Sequence, residues 1–408
     1  MKNIILFDSD IRDQLLPITY TRPVCELRIG ILTIREKWEH WLKGKVSYIT
    51  QDYLSEKYPI SIASDNLVIN GAVLPDAQLC QLIQNLKFNE ALLKNGELIA
   101  ARLDERQFYN LMEDNDIEEL EGFELEQSTK LLAINHVWDI FSFNDSAMRS
   151  DFAMLTKGRT SAPLSKTNQL LGDASQLFIE EGATIECSIL NTKTGPIYIG
   201  KNAEVMEGCV IRGGLALCEG STLKIGAKIY GATTIGPHSK VGGEVNNSVI
   251  IGHSNKAHEG YLGNSVLGEW CNIGADTNTS NLKNNYEPVK LWDYTKDSFV
   301  KTGMQFLGLI MGDHSKCAIN TMFNTGTVVG VSANIFGAGF PRNFIPSFTW
   351  GGTGGLETYP FNKAIDTMER VLARRQMTVS KEDRDILKFI FDFSARYRSW
   401  ERDKVEQN

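Results

Sequence analysis

The stretch Ile199–Val241, IGKNAEVMEGCVIRGGLALCEGSTLKIGAKIYGATTIGPHSKV, carries an aliphatic residue at every sixth position: Ile199, Val205, Ile211, Leu217, Leu223, Ile229, Ile235 and Val241. Six matches neither the 3.6-residue helical period nor the two-residue strand period. It matches a parallel β-helix, in which each hexad forms one flat face with its aliphatic side chain pointing inward. Three faces make a coil of about 18 residues, and successive coils stack about 4.8 Å apart. A second phase of the same repeat runs through Met311, Cys317, Phe323, Val329 and Ile335, with Leu267 and Ile273 between the blocks. Glycine follows the aliphatic position at Gly200, Gly226, Gly236, Gly242, Gly268, Gly274, Gly312 and Gly330. The expectation is that these glycines take the corners, where the chain turns sharply.

Outward from the repeat the pattern changes on both sides. Toward the amino end, Asn3–Phe7, Val46–Ile49 and Leu67–Asn70 read as strands, and Gly30–Lys43 has helical periodicity through Ile31, Ile34, Trp38, Trp41 and Leu42. Such alternation predicts an α/β domain with a largely parallel sheet. The polar, turn-rich run Thr156–Pro163 marks its end. Toward the carboxyl end the repeat dissolves into Trp350–Gly355, and helices are expected near Asn362–Arg375 and Lys381–Arg402, the second announced by Ser380 with Asp383 three residues on. The expected domains are therefore 1–160 (α/β), 161–345 (β-helix) and 346–408 (loop and helices). The stripe Ile386, Phe389, Ile390, Phe393 reads as a packing face.

Composition removes whole classes of function. No apolar run in the 408 residues approaches the ~18 needed to span a bilayer, so no membrane partner is expected. Forty-two basic against fifty acidic side chains give a formal charge of −8, which argues against nucleic acid as a partner. Seven cysteines without a CxxC pair argue against a disulfide framework or structural zinc, and fit a reducing cytoplasm. The apolar stretch at the amino end breaks off at Asp8, unlike a signal peptide.

The informative break in the repeat is Gly252-His253-Ser254-Asn255-Lys256-Ala257-His258-Glu259-Gly260-Tyr261-Leu262-Gly263, followed by Asn272-Ile273-Gly274-Ala275. An imidazole, with a reference pKa of about 6.5, is the natural proton acceptor at neutral pH. One alternative is a histidine that only caps turn carbonyls. Another is a zinc site of the γ-class carbonic anhydrase kind, for which His253 and His258 need a third imidazole such as His238 or His314.

These runs, with Thr279-Ser280-Asn281-Leu282, resemble the acetyltransferase half of the bifunctional N-acetylglucosamine-1-phosphate uridyltransferase/glucosamine-1-phosphate acetyltransferase family, and the Asn-Leu-Lys continuation is closest to its archaeal-type members. The resemblance implies a left-handed β-helix, a homotrimer, and acetyl-CoA as donor to an amino-sugar phosphate. It makes His258 the general base and Glu244 the carboxylate supporting it. Tyr261, Asn272, Asn281, Lys256 and Lys290 become substrate contacts, and the Ala275 backbone N–H the thioester-oxygen donor. Asn246 stands where the bacterial pattern has a phosphate-binding lysine, and Arg212, Lys283 and Lys290 are the substitutes on offer.

The amino-terminal frame Leu6, Arg12, Pro17, Thr19, Arg22, Pro23, Leu27, Gly30 resembles the nucleotidyltransferase half of that family, a Rossmann-type domain. The glycine loop is replaced by Phe7-Asp8-Ser9-Asp10-Ile11, the following lysine by Val24, and the Mg²⁺-holding aspartate by Ala72. Two readings stay open. In one, Mg²⁺-dependent nucleotidyl transfer uses Arg12, Arg22, Arg28, Asp8, Asp10 or Asp76, coupled to acetyl transfer in making UDP-N-acetylglucosamine. In the other, the domain binds a nucleotide sugar or holds the trimer together, and Arg12 and Arg22 are in the limit solvated surface residues. For the whole chain, the alternatives are a glucose-1-phosphate thymidylyl- or uridylyltransferase with a structural β-helix, and an inactive nucleotide-sugar-binding trimeric scaffold.

Overall fold

The computed structural model describes residues 3–112 and 120–401. They fall into two compact units, one of Met1–Leu15, Arg22–Leu27 and Leu32–Asn135, the other of Leu16–Thr21, Arg28–Ile31 and His136–Asn408.

The first unit is built on six strands: β1 (Asn3–Phe7), β2 (Val46–Ile49), β3 (Asn66–Asn70), β4 (Glu90–Lys94), β5 (Glu97–Leu103) and β6 (Glu121–Glu124), in the order β2-β1-β3-β5-β4-β6. Helix α1 (Ile34–Leu42) starts at Thr33, whose side chain and that of Glu36 form a reciprocal capping box. Its Trp38 is fully buried and donates its indole N–H to the Val73 carbonyl, 2.9 Å away. Helices α2 (Ala77–Asn85) and α3 (Glu105–Met112) complete the unit. The sheet is mixed rather than largely parallel: β1, β2 and β3 run parallel, but β5 is antiparallel to both β3 and β4. The cause is local. Asn95 and Gly96 both have positive φ, 52° and 78°, the type I′ turn chemistry that joins two antiparallel strands in the fewest residues.

The second unit is a parallel β-helix of about ten turns with helices α4 (Asn144–Thr156), α5 (Phe361–Ala373) and α6 (Lys381–Phe393). Face one stacks nine strands from Leu177–Ile179 to Phe344–Ile345. Its interior column is Ile179, Ile199, Leu217, Ile235, Ile250, Leu267, Met311, Val329 and Ile345, each paired in register with the next. Face two begins at Thr184–Ile185 and face three at Gln169–Leu171. Each such buried aliphatic side chain is worth about 1.5–3 kcal/mol, so the phase-locked columns, not any single contact, hold the stack.

The corners depart from expectation except at Gly226, which does turn with φ +71°. Gly200, Gly236, Gly268, Gly312 and Gly330 are not the positive-φ residues. They sit where backbones of adjacent coils touch; a Cβ on Gly200 would lie 2.7 Å from the Cys218 carbonyl carbon. The left-handed corner comes two residues later, at Asn202, His238, His253, Trp270, His314, Ser332 and Phe348, stacked by backbone hydrogen bonds from coil to coil. Trp350–Gly355 is not loose: Thr349–Gly352 and Gly355–Thr358 form an antiparallel hairpin that closes face two. Ser380 and Asp383 do form the capping box of α6. Ile386, Leu387 and Ile390 pack inward, while Phe389 and Phe393 stack on each other 5.6 Å apart at the surface. Among the described residues no helix is long and apolar enough to cross a membrane.

Candidate active site

The site begins as a missing pair of residues. In a regular coil six positions separate interior residues across the corner from face two to face three, as from Leu223 to Ile229. Between Val241 and Val245 there are four. Gly242 and Gly243 make this short corner, Gly243 with φ +70°. Only glycine fits there, because a Cβ would lie 2.8 Å from the carbonyl oxygens of both His258 and Gly260. The corner of the next coil, residues 257–260, is full length and carries His258.

The interior position beneath that corner is Lys256, in register with Val241. It is 1% exposed, so it is no surface contact for a substrate. Its ammonium donates to the carbonyl oxygens of His258 and Glu259, the second at 3.1 Å. Burial pushes its pKa down to about 8, against the attraction of Glu259 and Asp276.

His258, Asn272 and Ala275 line one cavity of about 900 Å³, together with the cations Lys240, Lys316, Arg374 and Arg375. Lys240, Asn255, Asn272 and Lys316 are successive outward residues of face two, in register one above another. Arg374 and Arg375 come from the end of α5, and Arg375 donates to the His238 carbonyl at 2.6 Å. The corner column forms a ring stack beside them: His238 and His253 lie 5.1 Å apart, His253 and Trp270 4.4 Å, Trp270 and His314 6.4 Å. Burial first, then His238 and Arg375, push the pKa of His253 down to about 4, so that ring is neutral at physiological pH. These imidazoles stack with Trp270 interposed rather than converging on one point, and no group of three His, Cys, Asp or Glu able to hold a metal occurs among the described residues.

The remaining expected contacts lie elsewhere. Glu244 is on face three, where it accepts the Tyr230 hydroxyl and stands in register with Tyr261; among the described residues no hydrogen bond joins it to His258. Asn281 donates to the Tyr261 hydroxyl oxygen (3.0 Å) and to Asn264 (2.8 Å). Lys290 lines a different cavity. In the first unit Arg12 and Arg22 are each 4% exposed, which rules out solvated surface residues. Arg12 donates to Asp13 (2.9 Å) and to the Tyr53 hydroxyl. Asp8 accepts from the Val24 N–H (2.8 Å) and the Thr50 hydroxyl (2.6 Å), and burial raises its pKa. Asp10 is exposed at the start of a short 3₁₀ helix. Asp8 and Arg12 thus tie loops together.

Sequence reasoning missed Lys240, Lys316, Arg374 and Arg375. The first two were discoverable: they precede the interior residues Val241 and Cys317, the position that faces outward on face two.

Residues 4–160 match the family model of sugar nucleotidyl transferases. The chain is also similar to bifunctional enzymes. It is 39% identical over 87 residues to the bifunctional protein GlmU of Methanocaldococcus jannaschii, covering 21% of each chain. It is 31% identical over 144 residues to the bifunctional sugar-1-phosphate nucleotidylyltransferase/acetyltransferase of Sulfurisphaera tokodaii, covering 35% of each. With the bifunctional protein GlmU of Synechococcus elongatus it shares 24% identity over 263 residues, 60% of this chain and 52% of that one. The chain therefore spans from about a fifth to about half the length of these relatives. Among solved structures, the polySia specific acetyltransferase NeuO aligns with 52% of this chain and 94% of its own at 15% identity, with a TM-score of 0.27, at which the likeness carries no argument.

Proposed function

We propose that this protein transfers an acetyl group from acetyl-CoA to the amine of an amino-sugar phosphate, glucosamine 1-phosphate or a close relative, with His258 as general base. The observation that carries the proposal is the cavity holding His258, Asn272 and Ala275 among four cations. Lys240, Lys316, Arg374 and Arg375 complement phosphates, which the donor and the acceptor both carry. His258 takes a proton as the amine nitrogen bonds to the thioester carbonyl carbon; the carbon–sulfur bond breaks, and the proton leaves with the thiol. The Ala275 N–H and the Asn272 amide stand for oxyanion and sugar contacts. Lys256 acts from inside the solenoid, holding the backbone on which His258 stands. Tyr261 and Asn281 offer a second polar pair on the adjoining face. A cytoplasmic homotrimer belongs to the same reading; the trimer rests on the family resemblance and the compartment on cysteine usage rather than on geometry.

Among the described residues, those where the resemblance implies Mg²⁺ do not fit the ion. Ala72 has no ligating side chain, Asp8 is committed to Val24 and Thr50, and the Asn70 side chain accepts the Ala72 N–H at 2.9 Å. Thiol release from acetyl-CoA with and without glucosamine 1-phosphate tests the acetyl transfer. Release that depends on the amino sugar is expected; no release with any amino-sugar phosphate would overturn the proposal.

A further inference from the structure

Lys290, expected near His258, leads to a second site. Between Asn278–Thr279 and Leu309–Met311 the solenoid is interrupted by an antiparallel hairpin, Lys290–Asp293 with Ser298–Lys301. This hairpin and the coil segment from Arg342 to Phe344 enclose a cavity of about 680 Å³. Its walls are aromatic: Trp292 stacks on Phe344 at 4.1 Å and 8°, and Phe299 meets Trp292 edge-on at 5.4 Å while remaining 43% exposed. Its cations are Lys283, Lys290 and Arg342.

Three features favour a ligand of particular chemistry. Lys290 stands directly opposite Lys301 in the hairpin register, a like-charge pair that destabilises an antiparallel ladder unless an anion lies between. Neither Lys290 nor Arg342 has a carboxylate partner among the described residues, on a chain whose formal charge is −8. The Trp292 indole nitrogen is buried with no acceptor. Cations beside an open aromatic face select an anion that carries a flat ring, and the volume suits a mononucleotide.

We propose that this cavity binds a nucleoside diphosphate group, its phosphates on Lys290 and Arg342 and its base against Phe299. The site is separate from the cavity of His258, and the inference does not depend on the reaction assigned there. A free nucleotide and the nucleotide end of a larger molecule share this chemistry. Titration calorimetry on the full chain with ADP, UDP, adenosine 3′,5′-bisphosphate and inorganic pyrophosphate tests it. Binding of at least one nucleotide is expected to weaken about tenfold or more in Arg342→Glu and in Phe299→Ala, both surface changes, with one site per chain lost. Pyrophosphate should bind more weakly than that nucleotide and be indifferent to Phe299→Ala. Tightest binding of adenosine 3′,5′-bisphosphate would point to a coenzyme tail, and tightest binding of UDP to a nucleotide sugar; either supports the site. Nucleotide affinity unchanged in both variants, or pyrophosphate binding as tightly as every nucleotide, would overturn it.

Discussion

From Ile199 to Val241 each coil of the solenoid repeats the one before it, and its interior columns are aliphatic throughout. From Val241 to Ile273 the same fold loses two residues at Gly242–Gly243, takes a lysine into its interior at Lys256 and carries His258 on the corner above. The regular coils stack and do little else. The contracted ones buckle one corner against the next, and there a buried cation is needed to hold carbonyls that an aliphatic residue would leave unsatisfied. A repeat supplies rigidity; a local defect in it supplies the place where side chains of different coils converge.

The comparison breaks most readily at Gly243. Gly243→Ala puts a Cβ 2.8 Å from two carbonyl oxygens at a φ that alanine avoids, so the corner of His258 must move. A loss of about 3 kcal/mol in urea unfolding is expected, together with loss of acetyl transfer. Gly226→Ala has the same kind of φ but no atom within 4 Å, and should cost only about 1–2 kcal/mol. Equal losses at the two sites would contradict the special role of the short corner.

Lys256 sharpens the comparison through pH. Its pKa is about 8 in the folded protein against 10.5 ordinarily, so between these values the unfolded chain binds more protons and stability rises with pH. Relative to Lys256→Met, the wild type should gain up to about 3 kcal/mol as pH rises from 8 to 10.5, with no such gain below 8. Parallel pH profiles for the two proteins would mean the ammonium is not buried. His253 gives the smallest effect, with the stability present above its ordinary 6.5 and lost as pH falls toward 4. Allowing for the partial exposure of the ring, wild type should lose about 2 kcal/mol over that window and His253→Phe should lose less.

The β-helix was legible because Ile199–Val241 holds one phase without interruption. The position of its corners was not. Apart from Gly226, which does turn with positive φ, glycines such as Gly200, Gly236 and Gly330 mark close coil-to-coil contact, whereas turns of the stacked corner fall on Asn202, His238, His253 and Trp270, of which only the asparagine and histidines are residue types enriched in left-handed backbone. The break at residues 252–263 pointed to His258, and the family resemblance added Asn272 and Ala275; the three share a cavity. Lys256 was in view too, but its interior place is invisible until the three residues lost from that coil, two at Gly242–Gly243 and one before Ile250, are counted into the register. The four cations around His258 were hidden for a related reason: they come from two coil positions, Lys240 and Lys316, and a distant helix end, brought together only in the folded chain. In the first unit, Asn95-Gly96 is a hairpin signal that the strand-and-helix alternation passed over, and it makes the sheet mixed. Nothing in the spacing of Arg12 and Arg22 showed that both side chains turn inward.

The most direct test of the central claim is single-turnover thiol release in His258→Ala beside wild type, with acetyl-CoA affinity measured on the same samples. The acetyl-transfer rate is expected to fall by at least ~10²-fold while acetyl-CoA binding is kept, because the four cations proposed to hold its phosphates are untouched. An unchanged rate, or a loss explained entirely by weaker acetyl-CoA binding, would contradict it.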